Sequence, residues 1–384
     1  MTLPPRLLVY FHCHSRTGYA IETLEQRFYA MAERVTGSAE RVHFAYPSVA
    51  RGRPEALPAN AHLLEFDPAT RNLAHLMDVE RYVANHGISL ALGFDQQPAL
   101  RSQRYLRRGG VRRIVSYLGA PMSSLNTGLK LLLKRVEVRL ARSSPDHYIF
   151  ESQAMAQTAV QGRGIPSRRT SVVPLGVDLD KFRPDPADAS YVHDALGIPF
   201  SRRVFYYSGH FEERKGVRVL VKALRRLVAE ESRRDVHLVL LGNRPGEEEP
   251  FRQLVAGSPA EQHVTFAGYR SDVPRLLRGC TAGVIPSTGW ESFTQSSVEI
   301  AASALPLLVS RLEGLNETIV NGETGFSFKP GDSAELADLM KRLVDDPELA
   351  RRLGAAARTR AEICFSREVQ VDALVAIMAR LATI

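Results

Sequence analysis

The chain is poor in cysteine. Cys13, Cys280 and Cys364 stand far apart in 384 residues. Their odd number and spacing exclude a disulfide framework and a cysteine-rich metal site, and suit a reducing compartment. Long apolar runs are missing too: none reaches the roughly 18 residues that a membrane span needs. The run Leu7–Phe11 is followed at once by His12, Cys13 and His14. It reads as a first β-strand in a cytosolic protein, not as the apolar part of a signal peptide. No Gly-x-Gly-x-x-Gly opens a helix, which disfavours a dinucleotide site. Acidic residues are scarce between Arg101 and Arg142, where Glu137 faces eleven lysines and arginines. That stretch carries +10 in a chain of net charge +8, so the rest is slightly acidic. A solvated helix face rich in arginine accounts for it, as does a surface for an anionic membrane or substrate. Nucleic acid fits poorly, since no aromatic interleaving or recognition motif accompanies the charge.

What is present describes a globular α/β protein. Hydrophobic residues make up 44% and charged residues 24%, and the length exceeds what one core usually supports. Leu7–Phe11, Val42–Ala45, Leu90–Phe94, Ile114–Leu118 and Tyr148–Phe150 have the continuous apolar character of buried strands. Helical patterns such as Ile21–Val35 and Leu129–Ala141 lie between them. In the latter, Leu129, Leu132, Leu133, Val136 and Leu140 recur at helical spacing. A second series follows: strands at Val204–Tyr207, Val236–Leu241, Val264–Phe266, Gly283–Ile285 and Pro306–Val309, with helices at Val217–Glu231 and Glu335–Val344. Two such series predict two Rossmann-like, doubly wound domains. The segment Val172–Asp188, broken by Pro174, Gly176, Pro184 and Pro186, reads as the connection. Glu348 to Leu381 is helical by pattern, with no strand after it.

Two loops carry the chemistry. In the first, a strand ends in Pro286-Ser287-Thr288-Gly289-Trp290-Glu291-Ser292-Phe293-Thr294 and a helix from Gln295 to Ala304 follows. Loops at the carboxyl ends of parallel strands bind ligands. Free amides at Phe293, Thr294 and Gln295 would offer a phosphate site at the helix start. Glu291 and Glu299 bracket that turn, and carboxylates suit hydroxyl-rich ligands. The second loop is Gly209-His210-Phe211-Glu212-Glu213-Arg214-Lys215-Gly216. A lysine at a helix start opposes the helix dipole unless an anion lies between them, which points to a diphosphate held by Lys215 and Arg214. His12 and His14, two apart after a strand, do not fix a tetrahedral metal site without other ligands, so no metal is expected. His14, near Gly18, is a candidate to line a cleft.

Both loops, in this order, resemble glycosyltransferase family 4, of GT-B fold. The family's Glu-x7-Glu motif matches Glu291 and Glu299, and its Gly-Arg-x4-Lys-Gly loop resembles Gly209 to Gly216. Its linker resembles Pro174-Leu175-Gly176-Val177-Asp178, and its Phe-x-Gly-Tyr element resembles Phe266-Ala267-Gly268-Tyr269. The following segment resembles Ala301 to Phe326. The N-terminal half is similar more loosely, through Gly18.

The resemblance implies two domains facing across a cleft, residues 1–180 for the acceptor and 181–365 for the nucleotide sugar. A C-terminal helix (366–384) would cross back to the first domain. It implies retaining, metal-independent transfer from a UDP- or GDP-sugar, with no cofactor. In this reading Glu291 contacts the donor sugar and Glu299 holds the ribose. Lys215 binds the diphosphate, Arg270 lies at the nucleobase, and Gly18 lets the first loop approach the donor. The acceptor is open among lipid-linked glycan, polysaccharide and small natural product. The location is cytoplasmic, with a peripheral contact at the inner membrane face through 101–142 as one option. Rival readings are a sugar-nucleotide epimerase or phosphorylase of the same fold, and a non-catalytic, nucleotide-binding or membrane-associated scaffold. The chain departs from the family where His210 replaces an arginine, where Ser292, Thr294 and Ala304 replace glycines, and where Leu118 stands in place of a histidine.

Overall fold

The computed structural model describes residues 4–141, 143–242 and 244–383. Arg142, the last residue of the basic stretch, lies outside the described residues. So do Met1 to Leu3 and Ile384, the ends of the span assigned to the first domain. The chain divides into two compact units, residues 1–174 with 368–384, and residues 175–367.

In the first unit one parallel sheet contains β1 (Arg6–Tyr10), β2 (Val42–Tyr46), β3 (His62–Glu65), β4 (Ile88–Phe94), β5 (Arg113–Leu118), β6 (His147–Phe150) and β7 (Thr170–Val172). Its order is β3-β2-β1-β4-β5-β6-β7. The crossovers carry α1 (Tyr19–Thr36), α2 (Leu73–Asn85), α3 (Arg101–Arg108), α4 (Gly128–Leu140) and α5 (Gln153–Gln157). Leu7 to Phe11 are fully buried, because helices cover both faces of a parallel sheet and leave no wet side to demand alternation. The order reverses between β1 and β4, and the loops leaving these neighbouring strands therefore diverge.

The second unit runs α6 (Tyr191–Leu196), β8 (Arg203–Ser208), α7 (Val217–Arg225), β9 (Val236–Leu241), α8 (Glu249–Arg252), β10 (Val264–Phe266) and α9 (Val273–Arg278). It continues with β11 (Ala282–Ile285), α10 (Gln295–Ala302), β12 (Leu307–Ser310), α11 (Glu313–Asn316), β13 (Gly325–Phe328), α12 (Ser333–Asp345) and α13 (Pro347–Cys364). This sheet is also parallel, in the order β10-β9-β8-β11-β12-β13. The last helix, α14 (Arg367–Thr383), belongs to the first unit from Glu368 onward. There Gln370 Nε2 donates to the Tyr117 hydroxyl at 3.2 Å, and Asp372 pairs with Arg34 at 2.6 Å.

The strands that the sequence pattern did not reveal, β3, β7 and β13, all lie at sheet edges. β3 and β7 are only half-buried, so they leave little apolar signal. The unit boundaries fall at 174/175 and 367/368, not at 180/181 and 365/366. Hydrogen bonds explain the shift. Val177 N–H donates to the Phe365 carbonyl at 2.7 Å and Arg367 N–H to the Val177 carbonyl at 2.9 Å. Gln295 Nε2 donates to the Gly176 carbonyl at 3.4 Å. Residues 175–180 are thereby tied to the second unit.

Candidate functional site

β8 and β11 are neighbours in the second sheet, so the loops at their carboxyl ends meet. After β8, Glu213–Lys215 make a single tight turn, and Gly216 follows in a left-handed conformation (φ 71°) as the N-cap of α7. A Cβ at Gly216 would lie 1.8 Å from the Pro286 carbonyl oxygen, so this position needs glycine for space as well as for φ. The Arg214 carbonyl accepts the N–H groups of Thr288 (2.8 Å) and Gly289 (3.1 Å). The backbone of one loop thus holds the backbone of the other.

Side chains converge on the same place. Lys215 Nζ donates to Glu291 Oε2 at 2.5 Å, Ser287 Oγ donates to the same oxygen at 3.1 Å, and an Arg214 guanidinium nitrogen lies 3.7 Å from it. Glu291 is 7% exposed, Lys215 18% and Arg214 45%. The carboxylate is therefore buried between two cations, of which Arg214 remains reachable from solvent. Arg214 also donates to the Trp290 carbonyl at 3.2 Å.

Beyond Glu291 the chain turns into α10. Thr294 is its N-cap, with Oγ1 accepting from Ser297 N–H at 3.1 Å. The backbone N–H groups of Phe293 and Thr294 have no acceptor among the described residues. Phe293 is fixed edge-on against Phe365, ring centroids 5.3 Å apart. Ser296 Oγ donates to the Ser208 carbonyl at 3.1 Å, tying the start of α10 to the end of β8. Glu299 lies on the second turn of α10, 6% exposed, and its charge helps burial raise the pKa of the Tyr206 hydroxyl. Gly209 leads out of β8. His210 Nδ1 is buried without a hydrogen-bond partner among the described residues, and the His210 carbonyl accepts the Tyr207 hydroxyl at 2.8 Å.

The structure thus brings Gly209, His210, Arg214, Lys215, Glu291, Phe293, Thr294, Gln295 and Glu299 to the ends of β8 and β11. Arg270 stands apart, after the edge strand β10. Both arms of its guanidinium are committed to Asp272, at 2.8 and 2.5 Å. That ion pair holds the Asp272 carboxyl below its usual range, with the Tyr191 hydroxyl also helping. Gly18 lies in the first unit as the N-cap of α1, exposed, with φ 142° and ψ 174°. His12 and His14, in the same loop, are exposed. Among the described residues no group of three or more His, Cys, Asp or Glu is arranged to hold a metal ion.

Sequence reasoning missed the residues that shape these loops. Ser287 braces Glu291. Glu247 accepts the Phe211 N–H at 3.3 Å and the Arg244 N–H at 3.0 Å, and nothing in its acidic surroundings marks it. Gly314 presses on the Glu291–Ser292 backbone, where a Cβ would lie 2.8 Å from Ser292 Cα. Ser292 and Thr294 hold ordinary negative φ, so glycine is not required at either. Ala304 is different. It adopts φ 58°, the left-handed conformation for which glycine is the usual choice.

This arrangement of two cations, a buried carboxylate and open amides at a helix start suits an anionic, hydroxyl-rich ligand. Residues 192–360 match the family "Glycosyl transferases group 1". The matched segment contains Gly209, His210, Arg214, Lys215, Arg270, Ser287, Glu291, Phe293, Thr294, Gln295 and Glu299. The chain is 28% identical over 239 residues to a D-inositol 3-phosphate glycosyltransferase of Streptomyces avermitilis, covering 60% of this chain and 51% of the relative. It is 32% identical over 186 residues to a phosphatidyl-myo-inositol mannosyltransferase of Mycobacterium leprae, covering 48% and 46%. The chain therefore spans about half the length of the curated relatives it matches.

Among solved structures it is similar to a glycosyltransferase from Rickettsia africae (TM-score 0.82, 16% identity, 98% of this chain and 99% of the other). It is also similar to Anabaena HepE in complex with UDP (TM-score 0.75, 20% identity, 99% and 100%). A third is sucrose-phosphate synthase from Thermosynechococcus elongatus (TM-score 0.76, 21% identity, 98% and 99%). The fold, two parallel-sheet α/β domains, is that of the GT-B glycosyltransferases.

Proposed function

We propose that this protein transfers a sugar from a UDP- or GDP-sugar to an acceptor hydroxyl, with retention at the sugar carbon. The observation that carries the proposal is the Lys215–Glu291–Arg214 cluster beside the backbone N–H groups of Phe293 and Thr294 at the entrance to α10, within the group 1 segment. Lys215, Arg214 and the amides of Phe293, Thr294 and Gln295 are assigned to the donor diphosphate. They neutralise the charge that grows on the leaving group, which is the usual route to electrostatic stabilisation, so the reading calls on no metal or cofactor. Glu299 is assigned to the ribose and Glu291 to the donor sugar. Gly209 and His210 line the diphosphate, Arg270 marks the nucleobase side through its backbone, and Gly18 is assigned to the donor from the first unit. Transfer is front-face, with the departing phosphate helping to deprotonate the acceptor. UDP in the HepE complex and the glycosyltransferase and mannosyltransferase names of the relatives support a nucleotide-sugar donor. A cytoplasmic location and a peripheral contact with an anionic membrane through 101–142 belong to the same proposal, together with a lipid-linked glycan, polysaccharide or small natural product as acceptor.

The test is a mass-spectrometric screen of UDP- and GDP-sugars against those acceptor classes, with sugar-nucleotide hydrolysis in the absence of acceptor as a control. Transfer or slow hydrolysis is expected. Glu291→Ala should mainly slow turnover and Glu299→Ala mainly weaken nucleotide affinity, because ribose contacts persist through the reaction and sugar contacts change with it. Losses in both that merely track thermal stability would contradict these roles.

A further inference from the structure

The apolar repeat that marks α4 in the sequence does not mark its buried side. Leu129 (71%), Leu132 (53%), Leu133 (61%), Val136 (47%) and Leu140 (74%) are exposed, and Leu125 just before the helix is 52% exposed. At about 100° per residue these helix positions fall on one stripe, and Val138, the buried residue of α4, points the opposite way. The helix is held from that back side. A Cβ at Gly164 would lie 2.9 Å from the Arg135 backbone nitrogen, and one at Gly162 would lie 2.6 Å from the Ser124 carbonyl. Asn126 Nδ2 donates to the Gly162 carbonyl at 2.5 Å, and Arg163 pairs with Glu137 at 2.8 Å. Five large apolar side chains on one helix stripe thus face solvent, and contiguous exposed apolar patches on a soluble surface usually mark interaction sites.

The charges divide along the same lines. In α3 and just after it, much of the basic stretch is spent internally: Arg107 and Arg113 pair with Asp146, and Arg108 with Glu80. On α4, Lys134 pairs with Glu137, whereas Lys130, Arg135 and Arg139 make no ion pair among the described residues. Those three flank the apolar stripe. A second copy of the chain would set like charges against each other across this face. An anionic bilayer meets both features, apolar residues entering the acyl boundary and cations resting on the headgroups.

We propose that α4 is a membrane-docking helix that lays Leu129, Leu132, Leu133, Val136 and Leu140 into an anionic lipid surface, with Lys130, Arg135 and Arg139 on the headgroups. This deepens the membrane part of the functional reading and rests on the first unit alone, so donor binding can be scored separately. The test is cosedimentation of the full chain with phosphatidylcholine vesicles, with and without phosphatidylglycerol, over a salt series. Binding to the anionic vesicles at low salt, weakened as salt rises, is expected. Leu129→Ser/Leu133→Ser/Leu140→Ser should lose at least about a hundredfold in partitioning with its melting temperature and its affinity for whichever of UDP and GDP the wild type binds unchanged. Lys130→Gln/Arg135→Gln/Arg139→Gln should lose about fivefold per charge. Wild-type protein that ignores anionic vesicles at low salt, or a serine variant that binds as well as wild type, overturns the proposal. So does a wild-type dimer that the serine variant converts to monomer while vesicles stay unbound. A wild type that binds neither UDP nor GDP would instead count against the donor site.

Discussion

In the second unit the loops after β8 and β11 are bonded to each other through Arg214, Thr288 and Gly289, and a glycine sits where no Cβ fits. In the first unit the loop after β1 is built more openly. Gly18 has nothing within 4 Å of where its Cβ would be, and His12, His14, Arg16 and Thr17 are exposed. One loop pair is a rigid, packed cradle; the other is shaped by backbone conformation with space around it. A recurring motif survives where packing and hydrogen bonds fix each residue. An open loop constrains few side chains, so its sequence can follow whichever ligand it meets.

The largest expected effect breaks this contrast directly. Gly216→Ala must displace the Pro286 carbonyl and also hold a left-handed residue, so it should cost about 3 kcal/mol or more in stability. Gly18→Ala meets no atoms and pays for conformation alone, about 1–3 kcal/mol. Thermal denaturation of both variants checks the order. Equal losses would show that the two loops are not differently packed.

A smaller effect separates the units by pH. His43 in the first unit and His237 in the second are held neutral by burial, their pKa values pushed down to about 3, and His147 to about 4. The unfolded chain takes up these protons near the ordinary value of about 6.5. Stability is therefore present above that pH and lost as pH falls through the window towards 3, on the order of 1–2 kcal/mol per histidine by pH 5. The first unit has an opposing group. Burial raises the Glu25 carboxyl to about 7, against a hydrogen bond from Tyr46 that lowers it. Its contribution is present below the unfolded carboxylate value and lost as pH rises through 7. Glu25→Gln should thus stabilise the first unit at pH 8 and change little at pH 4. Melting curves from pH 4 to 8 test both signs.

The smallest expected change concerns Ala304. Its left-handed φ puts its carbonyl against α13, where a Cβ at Gly354 would lie 2.1 Å away. Ala304→Gly should relieve strain and raise stability by about 1 kcal/mol. No gain in melting temperature would mean that the strain is absorbed elsewhere.

These contrasts also explain what was legible in the sequence. The buried central strands declared themselves because a two-sided parallel sheet needs continuous apolar runs. The β8 and β11 loops were legible because Lys215, Gly216, Glu291 and Glu299 are each fixed by geometry. The direct Lys215–Glu291 contact was not legible, since the partners are far apart in the chain and meet only through the adjacency of β8 and β11. Nor was the commitment of Arg270 to Asp272, where spacing alone does not reveal which acceptor an arginine chooses. Helix α4 was recognised by its period, but period does not say which face is buried. The packing of Gly162 and Gly164 against its back decides that.

In the proposed function the cradle at the ends of β8 and β11 holds a nucleoside diphosphate. Calorimetric titration of the full chain with UDP and with GDP tests it most directly. One of the two should bind, and Lys215→Ala should weaken that binding by about 1.5–3 kcal/mol through loss of a charge-assisted contact, with Glu299→Ala also weakened. Absence of binding by either nucleotide, or affinities unchanged in both variants, would contradict the account.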